Sequence, residues 1–142
     1  MTNTMYPAAA EGIEDGTIAL TVASIKASFV SGYTYNSAHK FVSDVTGASG
    51  VINGTSAALG SKTVTGGVFD AADTSATTTA SGSNHGILLY QSSSAAGGAD
   101  VAQSAQRVIA WYDTGTGLPI QPGSGSTPIT WDNGANKIFK IG

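Results

Sequence analysis

The sequence predicts an all-β fold, an antiparallel β-sandwich or barrel-like domain of about eight short strands with little helix. Three observations carry this. Val, Ile, Thr and aromatic residues gather in short runs, separated by Gly-, Ser- and Asn-rich punctuation. Several runs alternate apolar with polar residues, as a strand with one buried face does. Two others, residues 86–91 and 107–113, are apolar almost throughout, the pattern of central strands. At 142 residues the chain fits one domain. Residues 1–16 read as a flexible N-terminal arm and 17–142 as a single β domain.

Pro7 is suited to the first turn of a helix, and Gly12 and Gly16 limit its length, so a mobile arm with about one helical turn is expected. In residues 17–30, Ile18, Leu20 and Val22 alternate in one phase and Ile25, Ala27 and Phe29 in the other. A one-residue slip reverses every side chain, so a bulge or a corner between two strands is expected at Ala23-Ser24. Ser37 is placed to cap a short helix over residues 38–43, with Phe41 and Val42 inward. Residues 50–55 read as a strand ending in the Asn53-Gly54 turn. Residues 61–72 read as a hairpin about Gly66-Gly67, which suit a primed turn.

Residues 73–80 are rich in Thr without a large apolar face. They read as an edge strand, a solvent-facing strand, or one packed by a neighbouring chain. Residues 92–105 are too poor in large apolar side chains to build core and read as a long loop. Leu118 and Ile120 begin a further strand that Pro119 and Pro122 keep short or at an edge. Ile129 and Trp131, the Asp132-Asn133-Gly134 turn, and Ile138, Phe139 and Ile141 read as a closing hairpin. The expected aromatic core is Phe29, Phe69, Trp111, Trp131 and Phe139.

Charged residues make up 11% of the chain, against about 25% in an ordinary soluble domain. A surface covered by Ser, Thr, Gly and Ala is poorly protected against association and suits a protein packed against neighbours. A secreted or surface domain with a Thr/Ser-rich sheet is the plainer alternative. Net charge is −3, and the six Lys and Arg are scattered, so no duplex-binding surface is predicted. With no cysteine, disulfides, Cys-ligated zinc and thiol catalysis are excluded. No segment resembles a signal peptide or a membrane helix, so synthesis in the cytoplasm without membrane insertion is expected.

Asp113-Thr114-Gly115 follows an apolar strand, as the catalytic triplet of an aspartic protease does. Such a site needs two carboxylates sharing a proton, and neither a support element nor a flap is recognisable. A turn-initiating Asp is the better reading. Gly54-Thr-Ser-Ala-Ala-Leu-Gly-Ser-Lys-Thr63 approaches a phosphate-binding loop, but Ser61 separates Gly60 from Lys62 and no helix signal follows. His39 and His85 lack metal-ligand spacing. Gly123-Ser-Gly-Ser-Thr127 lacks the spacing of a nucleophile elbow. Asp132-Asn-Gly-Ala-Asn136 lacks the spaced carboxylates of a calcium loop. No catalytic, cofactor-binding or metal-ligating residue is predicted.

Lys62-Thr-Val-Thr-Gly-Gly-Val-Phe-Asp-Ala-Ala-Asp73, Asp113-Thr-Gly-Thr-Gly-Leu-Pro-Ile120 and Trp131-Asp-Asn-Gly-Ala-Asn-Lys-Ile-Phe-Lys140 resemble a family of small virion proteins of tailed bacteriophages. The three segments span most of residues 60–141. The resemblance implies a non-enzymatic structural protein, foremost a capsid decoration (cement) protein on the outside of the assembled head. Its expected partners are the major capsid protein and copies of itself, with a trimer favoured over a dimer. Expected contact regions are 1–16, 73–80 and 92–105, which fit a monomer core poorly. A tail or fibre component of the virion is the first alternative. A carbohydrate-binding sandwich is the second, and it requires Trp111 and Trp131 to be exposed.

Overall fold

The structure, a computed structural model, describes residues 3–115 and 117–141. Its elements are β1 (Thr4–Met5), α1 (Pro7–Asp15), β2 (Ile25–Ser31), α2 (Val42–Gly47), β3 (Val51–Thr55), β4 (Thr63–Thr65), β5 (Val68–Asp70), β6 (Thr74–Thr78), β7 (His85–Gln91), β8 (Ser93–Ser94), β9 (Gly97–Asp100), β10 (Arg107–Tyr112), β11 (Gly125–Ile129) and β12 (Phe139–Lys140). One 3₁₀ turn, Gln103–Ala105, precedes β10. The fold is all-β. Its strands are more numerous than expected because several are only two or three residues long.

The apolar run of residues 86–91 becomes β7, buried along its whole length at the middle of a five-stranded sheet ordered β1-β10-β7-β2-β3. Every pairing in that sheet is antiparallel. β10 and β2 flank β7, with Trp111 opposite Leu88 and Phe29 opposite Ile87. Leu88, Leu89, Ile109, Phe29 and Ile25 are all buried here. Each contributes roughly 1.5–3 kcal/mol by leaving water. The sheet is open, with β1 and β3 as its outermost strands.

The expected free arm is instead part of this sheet. Thr4 and Met5 pair with Trp111 and Ala110. Tyr6 is completely buried, and Ala8, Ala9 and Gly12 form a small-residue face of α1. The face can approach closely because it is small: a Cβ on Gly12 would lie 2.8 Å from the Ile18 side chain. Ala-rich composition and Pro7 at the first turn then give nine residues of helix.

Residues 17–24 also differ from expectation, being turns and loop rather than strand. Gln91, buried, replaces a neighbouring strand. Its Oε1 accepts from Ala19 N at 3.0 Å and its Nε2 donates to Thr17 O at 2.9 Å. Ile18 and Leu20 still point inward, and Val22 points out. The phase change at Ala23-Ser24 therefore marks the start of β2, neither a bulge nor a corner between strands.

The short helix is displaced from residues 38–43 to Val42–Gly47. Asp44, not Ser37, satisfies its first turn: Oδ2 accepts from Lys40 N at 2.9 Å and Phe41 N at 3.0 Å. Val42 and Val45 face inward. Residues 92–105 are a β8–β9 hairpin and a 3₁₀ turn rather than an unstructured loop. Polar contacts hold them where apolar ones are scarce. Lys26 Nζ meets Asp100 Oδ2 at 2.6 Å, and Ser24 N donates to Ser93 Oγ at 2.9 Å.

The hairpin over Gly66-Gly67 forms as expected, joining β4 to β5 with both glycines at positive φ, 59° and 79°. The closing segment does not pair with itself. β11 pairs with β6 and β12 pairs with β5, so residues 130–138 cross between two small sheets. Each half finds a better partner than the other half. Phe139 packs against Phe69 in a tilted pair with ring centroids 5.1 Å apart, while Thr127 Oγ1 and Thr78 Oγ1 join at 2.7 Å. Of the five expected core aromatics, Phe29, Phe69, Trp111 and Trp131 are buried and Phe139 is half-buried.

Candidate interaction surfaces

Of the three regions expected to touch a partner, two pack largely against this chain's own residues. The N-terminal segment is docked as described. β6, expected at an edge, lies between β11 and β3. Ser56 bridges Ala76, and Asn53 clasps Thr79 just beyond the strand. Ala76 and Thr78 are buried by this chain's own residues, without a neighbour. Of the three, residues 92–105 present the most outward surface: most of β9 and the 3₁₀ turn is exposed.

The sequence reading missed a different surface, the small sheet β12-β5-β4. All three residues of β4 are exposed. Val64, Phe69 and Phe139 stand opposite one another across the three strands and so share a face. Ile141, two residues beyond Phe139, continues that face and donates its N–H to Gly67 O at 2.9 Å. Phe69 is buried, yet Val64 is 48% exposed and Ile141 40%. The apolar face thus runs from the core out to a rim. Gly66-Gly67 makes Thr65 and Val68 the hydrogen-bonded closing pair, so Val64 directs its N–H and C=O away from β5. Among the described residues no other strand pairs with that edge. The only sequence signal was a valine between two threonines beside a tight turn, which reads equally well as an ordinary hairpin.

A groove of about 550 Å³ lies between the main sheet and the closing segment, lined among others by Tyr112, Leu118, Ile120, Trp131, Asp132 and Lys137. Its polar groups are largely committed. Tyr112 OH donates to Ile138 O at 2.8 Å, and burial pushes that phenol's pKa well above the ordinary range. Lys137 Nζ lies 3.8 Å from Asp70. Both tryptophans are buried, at 2% and 8% exposure, and their indoles are bonded: Trp111 Nε1 to Asp113 Oδ2 at 3.1 Å and Trp131 Nε1 to Ala72 O at 3.2 Å. They do not form the exposed platform on which a sugar would stack.

The sequence motifs resolve into structure. Asp113 serves Trp111, and the backbone N–H groups of Asp113 and Thr114 both donate to Asn3 Oδ1 at 3.1 Å. The triplet is a turn tied to the N-terminal segment. Lys62, in the near-miss phosphate loop, donates to Ala23 O, and burial lowers its pKa. His39 Nδ1 lies 2.9 Å from Tyr33 OH, which lies 2.9 Å from Tyr6 OH. His85 is buried and pairs Nδ1 with Ser83 O at 2.8 Å. Among the described residues no three His, Asp or Glu side chains converge as a metal site.

The electrostatics of half-buried Asp44 and exposed Asp100 follow from local bonding. The N–H groups of Lys40 and Phe41 hold Asp44 below its ordinary pKa, and Lys26 does the same for Asp100. Compared with known proteins, the chain matches no family model, no curated protein and no solved structure.

Proposed function

We propose that this chain is a non-enzymatic structural protein of a tailed-phage virion, foremost a capsid decoration protein that binds the outside of the assembled head. The resemblance of residues 62–73, 113–120 and 131–140 to that family motivates the assignment. One structural observation carries it furthest. A surface with few charges leaves an apolar rim, Val64 and Ile141, beside an unpaired strand edge on β4. Such an edge is a liability unless another chain covers it.

In this reading the major capsid protein covers part of the surface and copies of the chain cover another, as a trimer or, second, a dimer. Binding to the assembled lattice but not to separate subunits stabilises the shell by mass action. The N-terminal segment contributes by completing the sheet, not by reaching out to the partner.

A reconstruction of the intact particle tests the assignment. Density for this chain on the outer face of the head is the expected result. Density confined to the tail would move the protein to the tail or fibre class, and absence from the particle would end the virion reading.

A further inference from the structure

The chain contains two Asn-Gly pairs, Asn53-Gly54 and Asn133-Gly134. In any Asn-Gly pair the glycine leaves its backbone nitrogen sterically open to the preceding side-chain amide. Reaction then depends on whether the asparagine side chain can swing over that nitrogen. The fold treats the two pairs in opposite ways.

Asn53 lies in β3 and its amide is fixed on both sides. Nδ2 donates to Thr79 O at 2.8 Å, and Oδ1 accepts from Thr79 N at 2.9 Å and Thr79 Oγ1 at 3.1 Å. The next residue is packed as well: a Cβ on Gly54 would lie 2.4 Å from Thr77 O. Asn133 lies in the irregular crossing between β11 and β12, exposed, as are Asp132 and Gly134. Among the described residues its side chain takes part in no hydrogen bond. Around Gly134 the atoms nearest to an added Cβ belong to the Asp132 carboxylate, 2.7 Å away at Oδ2. Gly134 uses its carbonyl, accepting from Lys137 N at 3.3 Å, while among the described residues no acceptor engages its N–H.

We infer that Asn133 is a site of spontaneous deamidation in the folded protein and that Asn53 is protected from it. The Gly134 nitrogen loses its proton to solvent base and attacks Asn133 Cγ. The Cγ–Nδ2 bond breaks, ammonia leaves, and a five-membered succinimide forms. Water opens the ring at either carbonyl, leaving aspartate or isoaspartate; nothing is oxidised or reduced. The product adds one negative charge beside Asp132 at the rim of the groove. The isoaspartate form also lengthens the backbone between β11 and β12 by one carbon. The groove wall that Asp132 and Lys137 share would therefore change with the age of the molecule.

The test is incubation of the purified full chain at mildly alkaline pH, followed by tryptic peptide mapping. Asn53 and Asn133 fall in different peptides, ending at Lys62 and Lys137 respectively, and fragmentation separates Asn133 from Asn136. The folded chain is expected to convert Asn133 roughly tenfold or more faster than Asn53, because Asn53 reacts only from a minor, locally opened state. In denaturant the two should convert at similar rates. Gly134→Val should suppress the reaction at Asn133 in both conditions. Equal rates at the two sites in the folded chain, or an unreactive Asn133 there, would overturn the inference.

Discussion

Asn53 and Thr79 are joined by three hydrogen bonds, at 2.8, 2.9 and 3.1 Å, that imitate a rung of β ladder between a side chain and a backbone. The clasp closes the outer edge of the main sheet against the segment leaving β6. It also helps bury one face of the Thr-rich stretch within this chain, while Ser75 and Thr77 stay exposed. Asn53→Ala removes both the donor and the acceptor from a half-buried site. We expect a stability loss of about 1 kcal/mol, read as a lower urea midpoint with an unchanged m-value. No shift in midpoint would mean the clasp is incidental.

Gly86 leads β7 past Trp111. A Cβ there would sit 2.5 Å from the indole ring and 2.8 Å from Tyr112 O, and neither the ring nor the backbone can yield cheaply. Gly86→Ala is expected to cost about 1–3 kcal/mol through overpacking and to red-shift or broaden tryptophan emission. An unchanged melting temperature and spectrum would show that β7 and β10 can part at this point.

Burial raises the pKa of Tyr6 and Tyr112 above the ordinary value of 10.0. The neutral phenol is favoured in the fold, while the unfolded chain ionises near 10. The stability from this source is complete below pH 10 and declines as pH rises beyond it, because the unfolded state then binds fewer protons. Stability should therefore fall steeply above pH 10. Tyr6→Phe combined with Tyr112→Phe should flatten that decline, even if the double variant is less stable at pH 7. An identical slope in the variant would contradict the assignment.

Removing residues 1–14 deletes β1, the buried Tyr6 and nearly all of α1. The truncated chain should unfold at markedly lower denaturant rather than remain a stable domain with a weaker grip on a partner. A truncation as stable as the full chain would restore the picture of a free arm.

Much of this architecture is legible in the residues, and the failures have physical causes. The largely apolar runs at 86–91 and 107–113 became central strands because only a strand covered on both faces tolerates such composition. Gly66-Gly67 specified its hairpin through backbone geometry alone. The closing segment was misread because turn chemistry shows where a chain bends, not which strand receives it. Phe69 and Thr78, far away in sequence, decided that. Residues 17–24 carried a strand's alternation, but a distant glutamine supplied their hydrogen bonds. The low-complexity stretch 92–105 gained its order from Lys26, Ser24 and other polar partners that no local pattern announces. The apolar rim was hidden because exposure of Val64 and Ile141 depends on how far the small sheet projects beyond the core.

The rim can be altered without touching the core. Val64→Lys and Ile141→Lys place charges on side chains that are already about half exposed. Folding stability should change by no more than about 0.5 kcal/mol. Self-association, or attachment to a partner, should weaken, as followed by sedimentation velocity. Loss of folding would place these residues in the core, and unaltered association would move the interface elsewhere.

The central claim is that this chain works by covering an assembled protein surface. Under the proposed virion role, its most direct test is co-sedimentation of the purified chain with empty, DNA-free tailed-phage heads, alongside dissociated capsid subunits and isolated tails. Saturable binding to heads, little to subunits and none to tails is the predicted result. No binding to heads, with the chain remaining a monomer in solution, would contradict the account.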